Sequence, residues 1–269
     1  ALPRRAVEVI DSIGLACYAP RIRARVVHTQ GRPLDFNIQA SVTDVAFSVG
    51  QVPLPVSKGA GEVTIEPARV IIKWLHAAHG RTPVDISGQV FINDHDLGVD
   101  VNIDAPAVEI DDELLQLLPA EAQELCRQFA PSGRLGMSMS LQRNLPGEAE
   151  GTGSYRLELR PEDMQVRYEG FPYPFRGVTG TIVVTPDGAE LIELTAQDGD
   201  MWVRIDGTIE YADGLRGRGL SLTARNVPID EELLAAVPQD LAALAERFAP
   251  GGVCDMDISR LDFQRAARS

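Results

Sequence analysis

The sequence predicts a mainly β protein with short α inserts, built as tandem repeats of an antiparallel meander of about six strands followed by two short helices. Three observations carry that expectation. The first is an internal repeat. Ile110-Asp-Asp-Glu-Leu-Leu-Gln-Leu-Leu-Pro119, running on to Phe129-Ala-Pro131 and Gly133, returns as Ile229-Asp-Glu-Glu-Leu-Leu-Ala-Ala-Val-Pro238, running on to Phe248-Ala-Pro250 and Gly252. The same offset of 119 residues relates Asp44 to Asp163, Pro55 to Pro174, Gly61 to Gly180, Pro67 to Pro186, Gly80 to Gly199 and Gly88 to Gly207. A repeat of that length constrains the architecture before any local pattern does. The second observation is period-two alternation of aliphatic residues, and the third is turn chemistry (Gly, Pro, Asp) between the alternating runs.

Taken in order, Leu2-Pro3 with Ala6, Val7 and Ile10 predicts a short helix ending near Gly14. Each unit then opens on a half-buried strand: Ile22, Ala24 and Val26 alternate with arginines, and Leu135, Met137, Met139 and Leu141 with small or polar residues. Polar connections follow at 29–33 and 145–153. Phe36, Ile38, Ala40, Val45, Phe47 and Val49 predict a long strand bent at Asp44, and Tyr155, Leu157, Leu159, Met164, Val166 and Tyr168 its counterpart bent at Asp163. The proline pairs Pro53/Pro55 and Pro172/Pro174 cannot donate to a ladder, so an exposed connection or an edge is expected there. Four more strands follow in the second unit, carried by Ile182 and Val184; Ile192, Leu194 and Ala196; Val203, Ile205, Ile209 and Tyr211; and Leu220, Leu222 and Ala224. Thr185-Pro-Asp-Gly188, Asp198-Gly199 and Asp213-Gly214 supply the turns between them. The first unit repeats this with Val63 and Ile65; Leu75 and Ala77; Val84, Ile86, Val90 and Ile92; and Val101, Ile103 and Ala105.

Asp111 and Asp230 stand where helix N-caps belong, with acidic residues in the first turn, where the helix dipole favours them. Leu114, Leu115 and Leu118 share a face, and Pro119 and Pro238 open a second helix running to about Phe129 and Phe248. The frame is therefore 1–14, the end of a preceding repeat; 15–133, the first unit; 134–252, the second; and 253–269, the start of another. The chain is expected to be a piece of a longer array, with any signal or membrane anchor outside it.

The other parity of the strands is mostly polar, as in Thr181 and Thr185 or Arg204, Asp206, Thr208 and Glu210. An antiparallel sheet of this kind leaves one face in water and must cover the other. Six strands are roughly 29 Å wide, whereas a short helix covers about 10–12 Å. The sheet is accordingly expected to curl, into either a closed core or an apolar trough. The residues expected to line that interior are Val63, Ile65, Leu75, Val84, Ile86, Val90, Val101, Ile103, Ile182, Val184, Ile192, Leu194, Val203, Ile205, Ile209, Leu220 and Leu222.

A net charge of −14 argues against a nucleic-acid surface and against docking on anionic headgroups. Cys17, Cys126 and Cys254 have neither metal-ligand nor redox spacing. No apolar run approaches 18 residues, so no spanning helix is expected. The acidic groups Asp111-Asp112-Glu113 and Asp230-Glu231-Glu232 are explained by helix starts rather than by acid–base chemistry. His76 and His79, three apart on a strand, point to opposite faces, and Asn93-Asp-His-Asp96 reads as a hairpin turn rather than a calcium loop. Trp74 and Trp202 fall on the polar parity, as a contact surface or as packing. No catalytic residue, metal site or cofactor is expected.

Phe171-Pro-Tyr-Pro-Phe-Arg-Gly-Val-Thr-Gly-Thr-Ile-Val-Val-Thr-Pro-Asp-Gly188, Leu194-Thr-Ala-Gln-Asp-Gly199, Val203-Arg-Ile-Asp-Gly-Thr-Ile209 and Asn226-Val-Pro-Ile-Asp-Glu-Glu-Leu-Leu234 together resemble the AsmA-like, TamB- and YhdP-related repeats of bacterial envelope proteins. The resemblance extends over both units and rests on glycine turns and alternation. It implies a membrane-anchored rod of repeated sheet curled like a taco into a groove, lying in the periplasm and passing glycerophospholipid between membranes, without catalytic residues. Its implied partners are lipid acyl chains, neighbouring repeats of the same parent chain and envelope proteins, with no nucleic acid. The chain lacks the family's N-terminal transmembrane helix, and its helix pairs are heavier than in the plainest members. The alternative expectation is a scaffold or protein-interaction module with a closed core.

Overall fold

The computed structural model of the chain describes residues 16–31, 34–46, 56–92, 97–117, 120–149, 151–211, 214–237, 248 and 250–266. Thirteen strands form one antiparallel sheet whose spatial order is the order of the sequence. They are β1 (Ala16–Val27), β2 (Asp35–Ala46), β3 (Val56–Glu66), β4 (Arg69–His79), β5 (Thr82–Ile92), β6 (Leu97–Glu109), β7 (Ser132–Arg143), β8 (Gly153–Tyr168), β9 (Phe171–Thr185), β10 (Gly188–Asp198), β11 (Met201–Glu210), β12 (Gly214–Pro228) and β13 (Val253–Ala266). Helices α1 (Asp112–Leu117) and α2 (Ala120–Phe129) separate β6 from β7, and α3 (Glu231–Ala236) follows β12. This order needs no crossover, because antiparallel neighbours can be joined by tight turns. The expected helices at 2–10 and 238–248 and the expected turn at 93–96 lie largely or wholly outside the described residues, as do Pro53 and Pro55.

Backbone details repeat at the 119-residue spacing. Asp44 and Asp163, where bends were expected, have φ of 52° and 55°. Gly88 and Gly207 have φ of 140° and 139°. A side chain at either would meet the neighbouring strand: a Cβ on Gly207 would sit 2.8 Å from the Cα of Leu220, and one on Gly88 2.6 Å from the Cα of Val101. Glycine is kept there by both conformation and space. The Ile110 N–H donates to the Gly133 carbonyl (3.0 Å), as the Ile229 N–H does to that of Gly252 (2.9 Å).

One expectation is corrected. Pro172 and Pro174 lie inside β9 rather than in an exposed connection, and Pro174 is buried. The regular pairing of β9 with β10 spans Thr179 to Thr185, so both prolines precede it and remove no bond from that ladder. Phe171, Tyr173 and Phe175 alternate with them and pack together, Tyr173 meeting Phe175 edge-on at 5.4 Å.

The chain divides into two compact units, one made of residues 1–107 and 137–157 and the other of 108–136 and 158–269. In the second, Met164, Tyr173, Val178, Ala196, Met201, Val203, Ala224 and Val227 form a buried cluster with Ala236, and Leu233 packs against it, so α3 closes one end of this sheet face. Tyr173 donates its hydroxyl to the Met201 sulfur at 3.3 Å. Phe129 of α2 stacks on Tyr168 at 4.9 Å, and the Gln128 carbonyl accepts the Glu169 N–H at 2.8 Å. In the first unit the buried aliphatics include Val45, Leu75, Ala77, Val84, Ile86 and Ala105.

Candidate functional site

The apolar face is set by register. In the first unit Ile65, Val70, Val90 and Val99 stand opposite one another across β3 to β6. So do Val63, Ile72, Gly88 and Val101, and next to them Gly61, Leu75, Ile86 and Ile103. In the second unit Val184 faces Ala189 and Ile182 faces Leu191 across β9 and β10. Leu194, Ile205 and Leu222 then align across β10 to β12, as do Ala196, Val203 and Ala224. Directly opposed residues share a side of the sheet, so nearly all the aliphatics chosen from alternation lie together, unit by unit.

Ile192 does not. It stands opposite Thr181 on the polar side and is 37% exposed. Between Leu191 and Leu194 two residues, Ile192 and Glu193, oppose the single Asp206, a β-bulge with Glu193 at φ 48°. The extra residue reverses the alternation, so Leu191 joins the apolar side in place of Ile192. A matching slip in β4 sets Lys73 and Trp74 against Ser87, which brings Val70 and Ile72 onto the same side as Leu75 and Ala77. The signal was present as a break in period: 70 and 72 then 75 and 77, 189 and 191 then 194 and 196.

Burial varies along this face. Leu75, Val84 and Ile86 are buried, whereas Val63, Ile65, Val70, Ile72, Val90, Val99, Val101 and Ile103 are half-buried. In the second unit Val184, Val203, Ile209 and Leu220 are buried, and Ile182, Leu191, Leu194, Ile205 and Leu222 are half-buried. Aliphatic surface therefore remains open to solvent along each face.

Comparison of the chain with protein-family models, curated proteins and solved structures finds no match.

The opposite side of the sheet is a lattice of polar pairs. Arg204 bridges Asp206 (2.6 Å) and Glu193 (3.3 Å), and the Glu193 N–H donates to Asp206 at 2.8 Å. The Arg204 hydrogen bond, assisted by that N–H, holds the Asp206 carboxyl below its ordinary range against some desolvation. The Asp262 carboxyl is likewise lowered, first by the Gly219 N–H and then by Arg260. At the end of the apolar side, where α3 packs, Arg176 binds Asp198 and Glu232 at 3.0 and 3.4 Å. Burial, reinforced by the carboxylates of Asp230, Glu232 and Asp198, raises the Tyr173 phenol, and burial alone raises the Cys126 thiol. Trp74 stands opposite Glu62 on the polar side of the sheet, 40% exposed and 5.0 Å from the ring of His76, which pairs with Asp85. Trp202 stands opposite Arg225 and is half-buried. Among the described residues no three His, Cys, Asp or Glu side chains converge as metal ligands, and no helix is long and apolar enough to cross a membrane.

Proposed function

We propose that the chain is a non-enzymatic segment of an AsmA-like envelope protein, and that the apolar side of each unit holds lipid acyl chains in transit between membranes. The observation that carries this reading is the half-buried aliphatic row Ile182, Leu191, Leu194, Ile205 and Leu222, with its counterpart around Val63, Ile65, Val90 and Val101. Such a row presents contiguous apolar surface, which marks a binding or interaction face when it is not scattered. Each methylene buried there contributes about 0.8 kcal/mol, enough for a chain of ordinary length without polar recognition. On this reading the units are tandem repeats, the sheet curls around the apolar side, and the site of action is the periplasm of an anchored parent chain.

The test is lipid extraction and mass spectrometry of the protein purified without added lipid, alongside binding of a fluorescent phospholipid. Co-purified glycerophospholipid, lost on Ile205→Asn with Leu222→Asn, is the expected result. A lipid-free protein that also fails to bind the probe rules the reading out.

A second reading, a closed-core scaffold or interaction module, draws on Leu75, Ile86, Val203 and Ile209, which are buried on the same side. Ile86→Asn discriminates poorly, because a buried polar group without a partner costs stability on either reading. Ile205→Asn is the informative change: a closed core loses stability, whereas a lipid face stays folded and loses its ligand.

A further inference from the structure

α3 covers the Tyr173 cluster with very little of its own. Leu233 and Ala236 pack on that cluster, whereas Glu231, Glu232 and Ala235 face solvent. A helix of this length is not held by propensity. Its charged tie to the sheet is a fork. The Arg176 guanidinium of β9 donates to Asp198 of β10 at 3.0 Å with one nitrogen and to Glu232 of α3 at 3.4 Å with the other. The Arg176 and Glu232 side chains are 44% and 51% exposed, so water reaches the bridge from outside. At the 119-residue spacing Arg176 and Asp198 correspond to Ser57 and His79, and only Glu232 has a like counterpart, Glu113. The fork is particular to the second unit.

Lifting α3 strands no charge, because Arg176 keeps Asp198 while Glu232 passes into water. The floor does not need α3 for its polar contacts either. Tyr173 meets Phe175 edge-on, and its hydroxyl donates to the Met201 sulfur at 3.3 Å, all within β9 and β11. A thioether is a weak acceptor, so the phenol gains a partner on meeting water. That hydroxyl lies near enough to Asp230 and Glu232 for their charge to act on it, which places the Met201 sulfur under the same cover. What opening loses is the burial of Leu233 and Ala236, and few buried apolar contacts are the condition for opening short of global unfolding. The cover also coincides with a step in burial. Ala196, Val203 and Ala224 belong to the cluster and are buried, whereas the adjacent rung Leu194, Ile205 and Leu222 is half-buried.

We propose that α3 is a lid on the Tyr173 end of the second unit's apolar side, held shut by Leu233, Ala236 and the Arg176–Glu232 bridge. Opening uncovers Tyr173 and Met201 and lengthens the accessible apolar surface by the rung Ala196, Val203 and Ala224. The motion belongs to the chain alone and is measured without lipid, so it can fail while the acyl-chain reading stands, and the reverse.

The test pairs hydrogen–deuterium exchange of the full chain with the initial rate of Met201 oxidation by hydrogen peroxide, both read by peptide mass spectrometry. In the parent chain the amides of residues 233–237 should exchange at least about tenfold faster than those of β11, as a local opening requires. Arg176→Gln and Glu232→Gln, which break the same bridge from either side, should each speed α3 exchange and Met201 oxidation together by about two- to fivefold, the upper range that an exposed ion pair supplies. Leu233→Ala, which removes the larger apolar contact, should speed both further. Exchange of β11 and oxidation of Met256, which is 48% exposed, should stay as in the parent, showing that the variants remain folded. The proposal is overturned if α3 exchanges no faster than β11, or if the bridge variants leave both rates unchanged. It is equally overturned if they speed α3 exchange alone and Met201 stays protected, which would mean that the helix frays in place without lifting.

Discussion

Among the second-unit residues that hold positive φ inside strands are Glu193 at 48°, Gly219 at 58° and Asn226 at 52°. Each donates its N–H to an aspartate on the next strand, at Asp206 (2.8 Å), Asp262 (2.7 Å) and Asp255 (2.8 Å). A carboxylate accepting a hydrogen bond is favoured over the protonated acid; Asp206 is lowered first by Arg204 and then by the Glu193 N–H, and Asp262 first by the Gly219 N–H. Because their folded values lie below the unfolded one, the stability they contribute is present above about pH 4 and is lost as pH falls through the folded values. Thermal midpoints measured from pH 7 down to pH 2.5 should decline below the ordinary aspartate range, and Asp206→Asn should flatten that decline while lowering the midpoint at pH 7. Gly207 gives a second residue-scale test. Gly207→Ala combines positive φ with a clash against the Leu220 backbone and should cost about 1–3 kcal/mol in urea denaturation. Gly147→Ala, at φ 92° with open space around it, meets the conformational cost alone, about 1 kcal/mol, and should be the milder of the two.

Among elements, the helices that fall within the described residues were legible. Asp230 caps α3 as expected, its carboxylate accepting the Leu233 N–H at 2.9 Å, with Glu231 and Glu232 in the first turn. Six residues are too few to hold a helix by propensity, so α3 depends on this cap and on Leu233 and Ala236 against the Tyr173 cluster. Asp230→Ala should therefore cost about 1 kcal/mol, read as a lower unfolding midpoint with an unchanged slope. Strand existence was equally legible, since alternation and turn residues respond to the same requirement, one dry side and one wet. Strand phase was less so. Left-handed conformation at Glu193 and Lys58 is supplied by residues that do not advertise it, unlike glycine. The prolines of β9 misled for a related reason: proline forbids donation, but it does not forbid a strand whose regular ladder starts beyond it.

For the whole molecule, a single-file strand order suits a chain in which most consecutive described strands are joined by short, local turns. The 119-residue recurrence adds that the same turns and bends should come twice, as Asp44 and Asp163 do in their dihedral angles. Which aliphatics line one side was legible wherever alternation ran unbroken, from Val84 through Ile86 to Val90 or from Val203 to Ile205. It failed at Ile192, where one surplus residue inverts everything beyond it in that strand. That surplus gives β10 a tolerance that a strand of even register lacks. Removing Glu193 would let Leu191, Ile192 and Leu194 meet Gly207, Asp206 and Ile205 in an even ladder with every side chain keeping its present orientation, whereas removing Thr195 would turn Ala196 outward. The shortened chain lacking Glu193 should fold, and the one lacking Thr195 should not. The kink is thus slack in the thread, a place where the strand can gain or shed a link without turning the fabric inside out.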